Sequence, residues 1–166
     1  MKGVIKYVLI ALIAFPFSAY AKSQHSALDI FSHMKALVGV WIKEDDENSN
    51  LKISFELTAN NTTLIETWIY QGKKHSLTLY HLNGDKLMAT HYCPQGNQPR
   101  LQLSSSSTLS HLSFSYFDAT NLKSIDDSHQ HSLSFDLSVM ESKIVRGETY
   151  LNGSGESYSE LILVRD

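Results

Sequence analysis

The strongest constraint on the fold is a period-two alternation of apolar and polar side chains that recurs along most of the chain. Between Leu51 and Thr58, leucine, isoleucine and phenylalanine alternate with lysine, serine and glutamate. The stretch from His129 to Val139 alternates as regularly, with serines and Asp136 opposite its apolar face. Because successive side chains of a strand point to opposite faces, this pattern predicts half-buried β-strands.

The order of the predicted elements favours a barrel. A short helix is predicted from Ser26 to Leu37, and after it about nine or ten strands follow, separated mostly by short turns such as Asn83-Gly84-Asp85. No alternation of helices and strands appears, so the chain is predicted to be all-β. A single antiparallel up-and-down barrel leaves no exposed edge strands, and a two-sheet sandwich is the alternative.

The first residues have the pattern of a secretory signal peptide. Lys2 and Lys6 precede an apolar run, and Ala19-Tyr20-Ala21 is a cleavage signal of the A-x-A type. We therefore expect a signal peptide at 1–21, a single barrel domain at 22–166, and a periplasmic or secreted protein. No second long apolar segment exists, so no membrane span is expected in the mature chain.

Charge and cysteine content narrow the function classes. The formal net charge is −3 and no basic patch stands out, so nucleic-acid binding is not expected. Cys93 is the only cysteine, so no intramolecular disulfide can form after export. Its thiol is buried, bound to a metal, or available for pairing with another chain. The sequence does not indicate an oligomeric state.

Two histidine-bearing strands suggest a metal site. His91 and Cys93 share one face of a strand that ends at Pro94, and His129 and His131 continue another apolar face. If these strands converge, His91, Cys93, His129 and His131 form a donor set for zinc, copper or haem. Alternatively, the first pair simply packs in the core and the second lies at a solvated loop end.

A small barrel can also hold one small, largely hydrophobic ligand inside. Glu66 is a carboxylate between apolar neighbours on its strand face, although it can equally be an exposed strand residue. Arg100 can pair with a ligand carboxylate or phosphate, or brace a loop. The candidate ligand-binding residues are Glu66, Trp68, His91, Tyr92, Arg100, His131, Leu133 and Phe135.

Two further function classes stay open. An enzyme would have to use Cys93 with His91, but side chains two apart on a strand rarely form a direct hydrogen bond. The sequence also contains no G-x-S-x-G, H-E-x-x-H or glycine-rich phosphate loop, so an enzyme is the less favoured alternative. A structural or interaction protein without a ligand is the other.

The chain resembles small lipocalin-like (calycin) barrel proteins of unassigned function. The resemblance is carried by L-V-G-V-W at 37–41, E-T-W at 66–68, L-Y-H-L-N-G-D-K-L at 79–87, T-H-Y-C-P-Q-G-N-Q-P-R at 90–100 and L-I-L-V-R at 161–165. It implies a barrel with an internal cavity and a tryptophan plugging one end.

More distantly, the chain is similar to fatty-acid-binding proteins and to nitrobindin-type haem barrels. The haem barrels use an axial histidine near the C-terminal end, whereas the last histidine here is His131.

Overall fold

The computed structural model describes residues 25–46 and 49–166, which form a closed barrel of ten antiparallel strands preceded by one short α-helix. The predicted all-β up-and-down barrel is confirmed, and the predicted signal peptide lies outside the described residues. The elements are α1 (Ala27–Met34), β1 (Gly39–Lys43), β2 (Leu51–Thr58), β3 (Thr63–Tyr70), β4 (Lys73–Asn83), β5 (Lys86–Tyr92), β6 (Gln98–Leu103), β7 (His111–Thr120), β8 (His129–Val139), β9 (Lys143–Asn152) and β10 (Gly155–Arg165).

Each strand pairs with the next strand along the chain, and the pairing of β1 with β10 closes the cylinder. That last pairing is short, running from Trp41 opposite Arg165 to Lys43 opposite Leu163. Because every strand reverses direction, the turns alternate between the two ends of the barrel. The odd-numbered strands β1, β3, β5, β7 and β9 therefore all begin at one end of the barrel and finish at the other.

Helix α1 lies at the first of these ends, which we call the closed end. Ser26 and Asp29 form a reciprocal capping box that begins the helix. Ile30, Phe31 and Met34 are buried, and a turn of 3₁₀ helix at Lys35–Leu37 leads into β1. The buried face of α1 thus covers the barrel end.

Trp41 is the plug that the Gly-x-Trp pattern implied. Its indole Nε1–H donates to the Leu37 carbonyl (2.8 Å), and the Arg165 guanidinium lies 4.4 Å from its ring centroid. Gly39 has φ of 134°, and a Cβ there would lie 2.8 Å from Arg165 Nη1. Glycine is favoured at this position because of its positive φ, and an added side chain would also require the end of the Arg165 side chain to shift.

The closed half of the interior is apolar. It contains the buried side chains Leu37, Ile53, Leu64, Leu87, Leu112, Phe114, Leu137, Ile144 and Leu163. Phe55 and Tyr80 both pack edge-on against Phe135, with centroid distances of 6.4 and 6.1 Å. In the described part of the chain, the helices are all too short and polar to cross a membrane.

The regular alternation predicted for β8 is wrong at both of its ends. The register of β8 against β9 shifts between Gln130 and Ser132, and again between Asp136 and Val139. Gln130 therefore pairs with Tyr150, and Val139 is half exposed instead of joining the core. A β-bulge inserts an unpaired residue, so side chains beyond it change faces.

Candidate functional site

The interior beyond the aromatic layer is polar, and we call it the polar half. β3, β4, β5, β8 and β9 each contribute side chains to it, from Glu66 and Arg146 at mid-strand to His91 and Gln130 near the strand ends opposite to helix α1. Its members are Glu66, Trp68, Thr78, Tyr80, His91, Gln130, Arg146, Glu148 and Tyr150. Residues two apart on a strand share a face, which explains how β9 contributes three of them.

Glu66 lies at the centre of this half and has no exposed side-chain surface. Its Oε1 accepts from Trp68 Nε1 (2.6 Å) and from Arg146 Nε (2.8 Å), and its Oε2 accepts from the Tyr80 hydroxyl (2.5 Å). All three partners are donors, which suits an ionised carboxylate. The prediction that Glu66 faces inward is confirmed by its burial, and its alternative as an exposed strand residue is excluded.

Arg146 is held between two carboxylates and an indole. Its side chain is 1% exposed, its Nη1 donates to Glu148 Oε2 (3.0 Å), and its guanidinium lies 4.8 Å from the Trp68 ring centroid. Burial opposes its charge, but Glu66 and Glu148 outweigh burial and raise the pKa of Arg146. Burial alone would raise the pKa of Glu148, but the charge and hydrogen bond of Arg146 outweigh burial and lower it.

Two atoms of this cluster are buried without a hydrogen-bond partner among the described residues: Arg146 Nη2 and Gln130 Oε1. Both belong to groups that meet on one oxygen, because Gln130 Nε2 also donates to Glu148 Oε2 (2.8 Å). The carboxylate requires the amide nitrogen of Gln130 on its side, so the amide oxygen faces away from it. One free donor and one free acceptor therefore flank the same carboxylate.

His91 connects this cluster to the cysteine. Its Nδ1 lies 3.0 Å from Thr78 Oγ1 and its Nε2 lies 3.2 Å from the Tyr150 hydroxyl. Cys93 Sγ lies 4.0 Å from the same hydroxyl and donates to Gln95 Oε1 (3.3 Å). Burial, followed by the charge of Arg146, lowers the pKa of His91 to about 4. The imidazole is therefore neutral at pH 7.

The other histidine pair has different neighbours. His129 Nδ1 donates to the Asp127 carbonyl (2.7 Å), and its Nε2 lies 3.3 Å from His131 Nδ1. The His131 ring stacks on Tyr116 with a centroid distance of 5.4 Å. His129 is fully buried and His131 half-buried, so the alternative of a solvated loop end does not describe them.

The four predicted metal ligands occur as these two pairs. Within residues 25–46 and 49–166, the histidine, cysteine, aspartate and glutamate side chains form no group of three or more that could hold a metal ion. Both ring nitrogens of His91 and of His129, and Nδ1 of His131, are instead engaged by hydroxyl, carbonyl or imidazole partners. Zinc, copper or haem would require these contacts to break.

Two predicted ligand-binding residues, Tyr92 and Arg100, lie on the outer surface, away from the polar half. Tyr92 is 45% exposed, because it alternates with the inward-facing His91. Arg100 is at the surface and pairs through two hydrogen bonds with Asp118 of β7, so it braces two strands. Leu133 and Phe135 are buried in the core cluster and border the polar half, because they pair with Glu148 and Arg146 of β9. The Arg146 guanidinium lies 6.0 Å from the Phe135 ring centroid.

Two grooves flank helix α1, at the closed end. One, of about 700 Å³, lies between the helix N-terminus and β5–β7, and the other, of about 460 Å³, lies between Phe31 and the turn at Asn61. Neither groove is lined by a residue predicted to bind a ligand. The polar half and these grooves are therefore separate features.

The sequence did contain a signal for the residues that were not predicted. The period-two face that starts at Ile144 continues through Arg146, Glu148 and Tyr150, with Gly147 and Thr149 opposite. Polar residues on a face that begins as apolar indicate a buried polar patch. Gln130 had no such signal, because it reaches the interior only through the register shift in β8.

Comparison of the chain with protein-family models and with curated proteins gives no match.

Proposed function

We propose that this protein is an exported calycin-type barrel that binds a small molecule in its polar half. The ligand contacts Arg146 and Gln130, with Trp68 and His91 as neighbouring walls. Tyr92 and Arg100 are not part of this proposal, since both lie on the outer surface.

The proposal depends on one observation, the pair of unpartnered buried atoms Arg146 Nη2 and Gln130 Oε1. The large majority of buried side-chain polar atoms in native proteins have a hydrogen-bond partner. Leaving such a group without a partner costs about 1–3 kcal/mol, and more when the group is charged. A bound molecule that supplies the missing hydrogen-bond partners explains why two such atoms lie beside one carboxylate, that of Glu148.

The energetics of the cluster support a functional role. Glu66 and Arg146 form an ion pair with 0% and 1% exposed side chains. Buried ion pairs add little to stability, and apolar residues of similar volume often stabilise a protein by about 1–4 kcal/mol in their place. The apolar half shows that this barrel can fill its interior without charges. A polar half therefore suits recognition better than stability.

Access to the cluster is from the end opposite to helix α1. Glu148 keeps 13% of its side-chain surface exposed, and Trp68 and Tyr150 are half-buried. Small-molecule sites in barrels commonly occupy such mouths. Export is supported by the basic start, the apolar run and the A-Y-A sequence of residues 1–21.

Native mass spectrometry of the purified protein tests this function. The protein is incubated with a cell-extract filtrate of molecules below about 1 kDa, a size range that covers ligands of such pockets. We expect wild type and the surface control Arg100→Met to carry the same added mass. The variant Gln130→Met, which keeps the side-chain length, should lose it by about tenfold, as one hydrogen bond predicts.

The proposal is wrong if wild type carries no added mass. It is also wrong if Gln130→Met retains the adduct as well as Arg100→Met does, because the molecule would then bind elsewhere.

A further inference from the structure

Resting on the proposed function, we infer that the group recognised by the polar half is uncharged and carries a hydrogen-bond acceptor and a donor on one planar carbon centre, as an amide does. The acceptor pairs with Arg146 Nη2 and the donor with Gln130 Oε1. Two features of the site select this ligand class: the net charge of the buried carboxylates and guanidinium, and the two free atoms.

The charge balance of the cluster disfavours anions. Glu66 and Glu148 face one guanidinium, that of Arg146, so two negative charges meet one positive charge. The cluster keeps one negative charge in excess. An anionic ligand would approach two buried carboxylates, and repulsion between like charges is strong where water is excluded. Arg146 is already neutralised, so it offers a hydrogen bond rather than a free charge.

The two free atoms, Arg146 Nη2 and Gln130 Oε1, exclude groups that carry only donors or only acceptors. Arg146 Nη2 is a donor and can only be satisfied by an acceptor. A cationic group such as an amidinium carries donors alone. It would donate to Gln130 Oε1 but would leave Arg146 Nη2 without an acceptor. A carboxylate carries acceptors alone. It would accept from Arg146 Nη2 but would leave Gln130 Oε1 without a donor. A neutral amide satisfies both atoms.

The two tryptophans of the chain provide a reporter and a control. The Trp68 indole N–H donates to Glu66 Oε1, inside the cluster, whereas the Trp41 indole N–H donates to the Leu37 carbonyl at the closed end. Each gives a separate indole signal in a ¹⁵N-correlated NMR spectrum, and Trp68→Phe identifies which is which. A ligand in the polar half moves the Trp68 signal and leaves that of Trp41 in place.

The experiment titrates wild type at pH 7 with acetamide, acetate and acetamidinium, three planar molecules of the same size. Four heavy atoms allow binding free energies of at most about −6 kcal/mol, so weak affinities in the millimolar range are expected and NMR can measure them. We expect acetamide to move the Trp68 signal with an affinity about tenfold higher than either ion, the effect of one lost hydrogen bond. In Gln130→Met this preference over acetate should vanish, while Arg100→Met should keep it.

Equal or tighter binding of acetate or acetamidinium overturns the neutral class. A missing response of Trp68 to all three probes overturns it as well, because ordered water would then satisfy the two atoms. Neither outcome decides the proposed function, which the added mass in native spectra tests independently. If wild type carries an adduct that Gln130→Met loses, a small molecule binds there even when the ligand class is wrong.

Discussion

The two halves of the barrel interior are built on opposite principles, although the same strands form both. At the closed end, Met34, Leu37 and Trp41 are fully buried among apolar side chains, and the one polar atom of the Trp41 ring is hydrogen-bonded. In the polar half, Glu66 and Arg146 are as deeply buried but charged, and Arg146 has a free donor. The first half stabilises the fold by burying apolar area, whereas the second half depends on charges that must stay paired.

This difference indicates a division of roles along the barrel axis. Helix α1, the Trp41 plug and the Arg165 guanidinium hold the closed end. A rigid closed end fixes the positions of the strands, and the strands in turn place polar side chains at defined distances in the other half. Functional sites are most accurate when they are carried by such rigid elements.

The largest effect is expected from breaking the buried ion pair on one side only. Arg146→Met leaves Glu66 and Glu148 without their cation, so we expect a loss of about 3–5 kcal/mol in the free energy of unfolding. Adding Glu66→Gln and Glu148→Gln should restore most of that loss. Urea unfolding measures both, and the surface control Arg100→Met should lose no more than about 1 kcal/mol. A single variant as stable as wild type would contradict the pairing.

A slightly smaller loss is expected at the closed end. Met34→Ala removes a fully buried side chain of helix α1 and leaves a cavity, which costs about 2–5 kcal/mol in cores of this kind. No change elsewhere should restore it in the way that the glutamine variants restore Arg146→Met. The Trp68 indole signal should stay in place, because its hydrogen bond to Glu66 lies in the half of the barrel opposite to helix α1. A shift of that signal would show that the halves are coupled.

The pH dependence of stability should report on the polar half. Burial, followed by the charge of Arg146, lowers the pKa of His91 in the folded protein from its ordinary value of 6.5 to about 4. In the unfolded chain the imidazole binds a proton below pH 6.5. In the folded protein it stays neutral until the pH falls to about 4. Stability therefore falls as pH drops through this window, by about 2 kcal/mol between pH 7 and pH 5.

The matched variant for this effect is His91→Gln, which can still bond with Thr78 and Tyr150. Arg146 and His75 oppose protonation of His91 and Glu148 favours it, so all three must be left unchanged. Thermal unfolding between pH 5 and pH 7 should show a shallower slope for His91→Gln than for wild type. Equal slopes would assign the effect to other groups.

The smallest effect concerns the plug. Gly39→Ala introduces a Cβ that would lie 2.8 Å from Arg165 Nη1 at a φ of 134°, so we expect a loss of about 1–3 kcal/mol. Gly84→Ala is the matched control, since Gly84 also has a positive φ but no atom near the added Cβ. Thermal unfolding should rank Gly39→Ala below Gly84→Ala. The reverse ranking would show that Arg165 moves aside freely.

The strands of the barrel could be predicted from the sequence because alternation is a local property. Leu51–Thr58 and the face of Leu133, Phe135 and Leu137 are strands with the predicted buried sides. The helix and the Gly-x-Trp plug were also predicted where the structure has them. Glu66, Trp68 and His91 were chosen as site residues and do meet in the polar half, although their role in binding stays a prediction.

The rest of the site could not be predicted, because it depends on which residues face each other across the barrel. Arg146 and Glu66 are 80 residues apart in the chain, and no local pattern pairs them. Gln130 reaches the interior only because a bulge reverses its face, and His131 then stacks on Tyr116. The convergence of all four predicted metal ligands failed for the same reason.

The sequence alone thus determined the strands, their turns, the helix and most of the side chains that the strands turn inward, because these follow from periods of a few residues. Only the tertiary structure decided that the inward charges of β3 and β9 form an ion pair, and that Arg146 and Gln130 each keep one free atom. Closure of the cylinder brings distant strands to hydrogen-bond distance, and the register of each pair selects which side chains meet.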